Sequence, residues 1–224
     1  NTTTNITYTG ASNINGNDAA TVTVKINDGG NVGAGGGGDV ALGVTNMDIT
    51  AVNDDPTETG TFPTDTVVTE ETAGDLDLSG LTLADVDSAA NDVVMTLTAS
   101  TGTMAATTGG GVTIAGSGTG TMTLTGTIAN IDTYINTASN IQYTGALNVS
   151  GDDAATVAVK INDGGNVGTG GGGDVALGTT NMDISGVNDD PTETGVFPTD
   201  ITVTEDEEVK KFYRAGPAGI RTTK

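Results

Sequence analysis

The residues of this sequence that could do chemistry are mostly acidic, and they fall in short clusters. The clusters are Asn53-Asp54-Asp55, Glu70-Glu71, Asp85-x-Asp87 and Asn188-Asp189-Asp190. Calcium takes six to eight hard oxygen ligands, which carboxylates and carbonyls supply. The clusters could therefore hold calcium. The alternative is that they are only turn and cap residues, because Asn-Asp-Asp-Pro is a strong turn former in its own right.

The charge and composition exclude several classes of function. All 29 acidic residues, but only Lys25 and Lys160 among the seven basic ones, lie within residues 1–208. This negative charge repels nucleic acid, which we exclude as a partner. The sequence has no cysteine and no histidine, so disulfides, thiolate or histidine metal ligands and histidine catalysis are excluded. No apolar run reaches the length needed to span a membrane.

A long internal repeat organises the chain. Residues 19–43 return at 154–178 with two changes in 25 positions, and the VNDDPTETG motif that starts at Val52 returns at Val187. Both offsets are 135 residues, the size of a whole domain. The repeat predicts four parts. They are the C-terminal half of one module (1–52), a complete module (53–187), the start of a third module (188–208) and a basic tail outside the repeat (209–224).

The hydrophobic pattern predicts an all-β fold. Apolar residues alternate with threonine in several runs that glycine and asparagine or aspartate interrupt about every ten residues, which is typical of a β-sandwich. One segment differs, since isoleucines spaced by three and four residues predict a short helix over 127–136. The predicted core of the complete module is Val93, Met95, Leu97, Ile114, Leu124, Ile131, Tyr143, Val157, Val159 and Ile161. An isolated half-module exposes a sheet edge and an apolar face, so we expect residues 1–52 to need a neighbouring chain for order.

Two glycine-rich loops carry a second set of acidic residues. Asn27–Asn31 with Gly35–Asp39 returns as Asn162–Asn166 with Gly170–Asp174. Glycine here serves turn positions of positive φ between two strands, so a hairpin loop is the favoured interpretation. An ion site in the loops 29–39 and 164–174 is the alternative. No lysine followed by serine or threonine comes after the glycines, which excludes a phosphate-binding loop.

The order of these motifs resembles a known family. The run from NDDP through TEE, LSGLTLADVDS, TLTASTGTM, GSGTGTMTLTGTIANIDTYI, IQYTG and INDGG to MDISGVNDDP looks like the cadherin-like β-sandwich repeats of very large bacterial adhesins, often of the RTX type. The resemblance covers about residues 1–208. It implies a tandem array of cadherin- or immunoglobulin-like sandwiches, secreted or held at the cell surface, with calcium between modules.

The resemblance also implies how the acidic clusters would be used. In cadherins an Asn-Asp linker precedes a glutamate by about 16 residues and an Asp-x-Asp motif by about 31. Here Glu70 and Asp85 follow Asp54 by those intervals. By this analogy Asp85 and Asp87 would face the linker Asn53–Asp55. Glu70 would face the opposite junction at 188–190.

Two functions agree with this pattern, and neither is enzymatic. The first is a calcium-rigidified spacer of a giant adhesin or extracellular fibre, which contacts neighbouring modules or other copies and leaves glycan or matrix binding to other domains. The alternative is a self-assembling surface-layer or filament subunit with lateral or end-to-end contacts. Paired carboxylates can cleave glycosides, but these acids recur in both repeats, and the chain has no tryptophan to stack on a sugar.

Overall fold

The computed structural model describes residues 6–88 and 90–192, together with residues 194, 195, 199, 202 and 205. The chain divides into two compact units, Asn1–Val187 and Asn188–Lys224. The described part of the first unit is built mainly of strands. These are β1 (Gly16–Ile26), β2 (Val40–Ile49), β3 (Thr57–Gly60), β4 (Asp65–Thr69), β5 (Gly74–Asp75), β6 (Leu81–Ala84), β7 (Asp92–Ala99), β8 (Thr103–Ala106), β9 (Thr113–Ala115), β10 (Thr121–Thr127), β11 (Ile141–Thr144), β12 (Gly151–Asn162) and β13 (Val175–Ser185). The prediction of an all-β chain is confirmed.

The strands form one large sheet and three smaller ones. The large sheet has the order β4-β13-β12-β7-β10-β9, and the smaller ones are β5-β11-β8, β3-β6 and the hairpin β1-β2. The named strands pair antiparallel except β4, which runs parallel to β13. Strand β4, the first of the large sheet in chain order, therefore lies beside β13, the last strand of the first unit.

Alternating side chains explain why these segments are strands with one buried face. In β12, Ala155, Val157, Val159 and Ile161 are buried, and the residues between them are more exposed. Successive strand side chains point to opposite faces, so this pattern commits one face of the sheet to the core. Side chains from the large sheet, from β11 and from the helix form one hydrophobic cluster.

The helix α1 (Ile128–Ile135) lies within the segment that the isoleucine spacing predicts. Thr127 caps it, because its hydroxyl accepts the backbone N–H of Asn130 at 3.3 Å. Its apolar stripe is buried, so packing as well as capping stabilises it. A short 3-10 helix (Ala138–Asn140) follows and leads into β11. The helix prediction is confirmed, with its two end residues serving as caps.

Nine of the ten predicted core residues are buried, and the tenth, Ile114, is partly buried. Ile114 lies on β9 at the edge of the large sheet. An edge strand has a neighbour on one side only, which leaves part of this side chain uncovered. Within the described residues, no helix is long and apolar enough to cross a membrane.

The hairpin β1-β2 repeats the geometry of β12-β13. Ala20 pairs with Met47 as Ala155 pairs with Met182, and both hairpins have register shifts at matching places 135 residues apart. This geometry is present in the single chain, whereas we expected it to require a neighbouring one. The reason is that the ladder and its loop are local, and the Asn27 side chain bonds Gly37 O across the loop at 2.8 Å.

The two hairpins differ in what covers them. Four apolar residues of β1-β2 are 47 to 62% exposed, while their counterparts in β12-β13 belong to the core cluster or pack against it. The exposed residues are Val24, Ile26, Val40 and Leu42, and the counterparts are Val159, Ile161, Val175 and Leu177. The described part of the first unit therefore presents one covered and one uncovered copy of the same hairpin.

The second unit is described only at residues 188–192 and five single positions, among which there is no helix or strand. The basic tail 209–224, which we expect to stay outside the module, lies outside the described residues. So does much of the predicted third-module start at 188–208.

Candidate metal centre

Three aspartates from two loops converge at one end of the module 53–187. Asp85 and Asp87 lie in the loop between β6 and β7, and Asp163 follows β12 at the start of the glycine-rich loop. One carboxylate oxygen from each lies within 4.8 Å of the other two. Asp163 is 1% exposed. The fold therefore brings together acids that are far apart in the sequence.

The linker Asn53–Asp55, with which the module begins, is hydrogen-bonded to both loops. The Asn53 amide donates to Asp163 Oδ2 at 2.7 Å, and the Asp54 backbone N–H donates to Asp87 Oδ2 at 3.0 Å. The Asn53 backbone N–H also donates to the carbonyl of Thr169 at 3.1 Å. Asn53 is only 7% exposed. Residues 53 and 54 therefore form one wall of the acidic cluster.

Several oxygens of this site lack a hydrogen-bond partner. Among the described residues, the buried side-chain oxygens without a partner are Asp85 Oδ2, Asp87 Oδ1, Ser88 Oγ and Glu70 Oε1. Three of these four belong to the acidic cluster or to the residue beside it. Buried polar atoms normally find partners, and each unpaired one costs about 1–3 kcal/mol. A cation bound within the cluster would pair with Asp85 Oδ2 and Asp87 Oδ1.

Burial, hydrogen bonds and like charge shift the pKa values of Asp85 and Asp87 in opposite directions. Burial raises the pKa of Asp85, but hydrogen bonds from Ser88 and Asp87, whose backbone N–H groups donate to Asp85 Oδ1 at 3.2 and 3.1 Å, outweigh it, and the net shift is downward. The Asp54 N–H lowers the pKa of Asp87, but desolvation and the neighbouring Asp85 raise it, and the net shift is upward. The upward shift of the Asp87 pKa therefore reflects desolvation first and the neighbouring acids second.

No positive side chain of the described residues neutralises the cluster. Lys25 pairs with Asp39 and Lys160 pairs with Asp174, which lowers the pKa of Asp174. Two like unit charges 4 Å apart repel each other by about 1 kcal/mol in bulk water and by about 4 kcal/mol at a protein-like effective dielectric. The carboxylates of the cluster therefore repel one another. Carboxylate oxygens, in a chain that has no imidazole or thiolate ligands, suit a hard divalent cation such as calcium or magnesium.

The second glycine-rich loop, 164–174, packs closely against residues 51–53, at the start of the module. A Cβ at Gly171, whose φ is +65°, would meet Asn53 Nδ2 at 2.1 Å, and one at Gly168 would meet the Ala51 backbone at 2.6 Å. At the matching Gly36 of the first hairpin, a Cβ would meet nothing within 4 Å. The glycines of the second loop therefore do more than form a turn, since they let the linker approach closely.

Replacing Gly171 with alanine should displace Asn53 and weaken cation binding at the cluster. Gly36→Ala is the matched control, because residue 36 also has a positive φ, of +96°, but an open Cβ position. Both variants carry backbone strain of about 1 kcal/mol, and only Gly171→Ala also carries the clash. Calcium titration calorimetry of both variants measures the difference. Equal affinities would show that the close approach is unimportant.

The other predicted ligands are placed differently. The side chain of Asp55 is exposed, and Asp54 contributes its backbone N–H to the site. Glu70 follows β4, is 4% exposed and accepts the Val187 N–H on Oε2 at 3.0 Å. Asn188, Asp189 and Asp190 are exposed residues of the second unit. Glu70 thus lies where the first unit ends, and its pairing with residues 188–190 stays a prediction.

A second acidic cluster is solvated. One carboxylate oxygen from each of Asp65, Asp153 and Asp183 lies within 4.8 Å of the others, but Asp65 and Asp153 are exposed. The Asp183 carboxylate accepts the Asp153 N–H at 2.9 Å. Its charge, followed by that of Asp153, raises the pKa of the neighbouring Asp152. Because none of its oxygens is among the buried unpaired ones, water can solvate this cluster.

The residue of the acidic cluster that the sequence did not single out is Asp163. Its loop is interpreted above as a hairpin turn with an ion site as the alternative, and Asp163 is absent from the predicted ligand set. The sequence does contain a signal for this residue, because the same Asn-Asp-Gly-Gly motif occurs at 27–30, after β1, and at 162–165, at the end of β12. Only the tertiary structure shows that the second copy meets Asp85 and Asp87.

Searches against protein-family models and against solved structures give no match for this chain. The cadherin-like resemblance therefore rests on the motifs quoted above and stays a prediction.

Proposed function

We propose that residues 53–187 are a β-sandwich spacer module whose linker is locked by calcium bound between Asp85, Asp87 and Asp163. The observation that carries the proposal is the convergence of three carboxylates, two of which have a buried oxygen without a partner, with no neutralising side chain among the described residues. The bonds from Asn53 and Asp54 to two of these carboxylates support the link between metal and linker. The metal would neutralise the three carboxylates and so hold Asn53 and Asp54, which are bonded to two of them, in place.

A spacer role agrees with the repeat. Near-identical modules suit a part that provides length and regularity, and the resemblance to bacterial adhesin arrays points the same way. Calcium sites of extracellular modules have dissociation constants on the order of 10⁻⁴–10⁻³ M. Such a site fills where calcium is plentiful, so the proposal places the chain outside the cell, in an adhesin or an extracellular fibre.

Removing calcium should free the linker and leave the core intact. Chelation restores the repulsion between the loops, so the backbone amides of Asn53 and Asp54 should exchange with solvent faster. Amides of β12 should keep their protection, because the core does not depend on the metal. Hydrogen exchange of the whole chain with calcium and with chelator measures both, and calorimetry measures binding.

Potassium at matched ionic strength is the control, since screening alone should not protect the linker. No calorimetric binding and unchanged exchange at Asn53 and Asp54 would contradict the proposal. In that case the acidic residues would be turn and cap residues only.

A further inference from the structure

One side chain joins the two loops of the acidic cluster through their backbones. The amide nitrogen of Asn166 donates to the carbonyl of Asp163 and, at 3.1 Å, to the carbonyl of Asp92. Asp163 begins the second glycine-rich loop, and Asp92 is the first residue of β7, directly after the loop that carries Asp85 and Asp87. Asn166 therefore links the two chain segments whose carboxylates converge.

This link lies beyond the end of a strand ladder. Strands β12 and β7 pair as far as Asn162 opposite Val94, and Asp163 lies past that pair. No other hydrogen bond joins residues 163–174 to residues 85–92 in the part of the chain that the structure describes. The ladder thus brings the two loops to the same end of the module, and Asn166 determines how closely they approach there.

The remaining bonds around the cluster use its carboxylates. The Asn53 amide donates to the Asp163 carboxylate, and the Asp54 N–H donates to the Asp87 carboxylate. The acceptors of Asn166 are uncharged carbonyls instead, so its two bonds do not depend on the charge of the cluster. Because like carboxylates repel one another, such a link keeps the ligand oxygens close before a cation binds. Ligand groups that are held in position bind more tightly than groups that must first be ordered.

The repeat contains the same asparagine without the link. The Asn31 amide donates to the carbonyl of Asp28 as the Asn166 amide donates to the carbonyl of Asp163. Asn31 has no bond that corresponds to the one with Asp92 among the described residues. The asparagine therefore serves the local turn in both copies, and the additional bond separates the role in the turn from the role between loops.

We propose that Asn166 is a positioning residue of the calcium site. It holds the second glycine-rich loop against the loop between β6 and β7, so that Asp163 meets Asp85 and Asp87. The inference rests on the proposed function, because it names the residue that sets the calcium affinity of that site. Asn166 acts through Asp163 and not as a ligand, since its amide nitrogen donates to two carbonyls.

Replacing Asn166 with alanine in the whole chain should weaken calcium binding about 10-fold. This is the low end of the range for removing an outer-shell partner of a metal, and the low end is expected because Asn166 is exposed. Asn31→Ala is the matched control and should leave the affinity unchanged. Titration calorimetry measures both affinities, and hydrogen exchange of β12 amides in chelator checks that both variants are folded.

The Asn166→Asp variant separates positioning from ligation. Aspartate has the size of asparagine but no amide donor, and its carboxylate would face the carbonyls of Asp163 and Asp92. The affinity should therefore fall at least as far as in Asn166→Ala. A rise in affinity would show that residue 166 is a ligand position, which would overturn the inference.

Hydrogen exchange gives a readout that damage to the fold would not reproduce. The Asn53 N–H donates to the Thr169 carbonyl, and the Thr169 N–H donates to the Ala51 carbonyl, both at 3.1 Å. In Asn166→Ala these two amides should exchange faster than in the unmodified chain in chelator. Saturating calcium should restore their protection, because the cation then draws the loops together. Faster exchange that calcium does not restore would overturn the inference.

The calorimetric outcomes distinguish this inference from the proposed function. Equal calcium affinities of the unmodified chain and Asn166→Ala would overturn the inference and leave the proposed calcium site standing. An equal loss in Asn31→Ala would also overturn it, since the effect would then belong to the turn. If the unmodified chain binds no calcium, the proposed function itself fails, and the inference fails with it.

Discussion

Replacing Asp163 with asparagine should reduce calcium affinity by at least about 10- to 100-fold, the range for losing even an outer-shell partner of a metal. The substitution removes one of three converging carboxylates and keeps the size of the side chain. The Asn53 amide would then face an amide in place of a carboxylate, which weakens the bond that ties the linker to the loop. Titration calorimetry with calcium measures the loss.

The repeat supplies a matched control in Asp28→Asn. Asp28 accepts the Gly30 N–H at 3.0 Å as Asp163 accepts the Gly165 N–H at 3.1 Å, so the local turn is the same. Asp28 belongs to neither of the acidic groups found among the described residues. Asp28→Asn should therefore leave the affinity unchanged. An equal loss in both variants would place the cation in the glycine-rich loops and away from the cluster.

Replacing Ile161 with alanine should destabilise the module by about 2–5 kcal/mol, the usual cost of truncating a buried isoleucine. Ile161 is fully buried in β12, and the deletion leaves a cavity among side chains of the core. Ile26→Ala changes the same residue of the repeat at a position that is 57% exposed. That variant should stay within about 0.5 kcal/mol of the unchanged protein.

Urea denaturation followed by far-ultraviolet circular dichroism gives both free energies of unfolding. Dilute protein is used so that copies do not associate during the measurement. A similar loss in both variants would show that the two hairpins are equally covered in solution. The uncovered face of β1-β2 would then be absent from the molecule in solution.

Local patterns predicted the elements well, because each is determined by residues close in sequence. The isoleucine spacing of 128, 131 and 135 gives the helix, and the alternation in β12 gives its buried face. The acidic cluster is different, since Asn53 and Asp163 are 110 residues apart. Nothing in the glycine-rich loop itself distinguishes Asp163 from Asp28. What distinguishes them is the strand pairing, which brings the loops 85–88 and 163–169 to the linker.

The parallel pairing of β4 with β13 determines how the module carries tension. The chain enters β4 at Asp65, opposite Asn181, and leaves β13 at Ser185, opposite Thr69. A force applied at Asp65 and Ser185 in opposite directions would therefore slide these strands past each other along their length. Their hydrogen bonds are loaded together in shear, and no single bond at one end can open first and unzip the rest. Because β4 and β13 are adjacent and parallel, we expect the module to resist extension most strongly along the direction of these two strands.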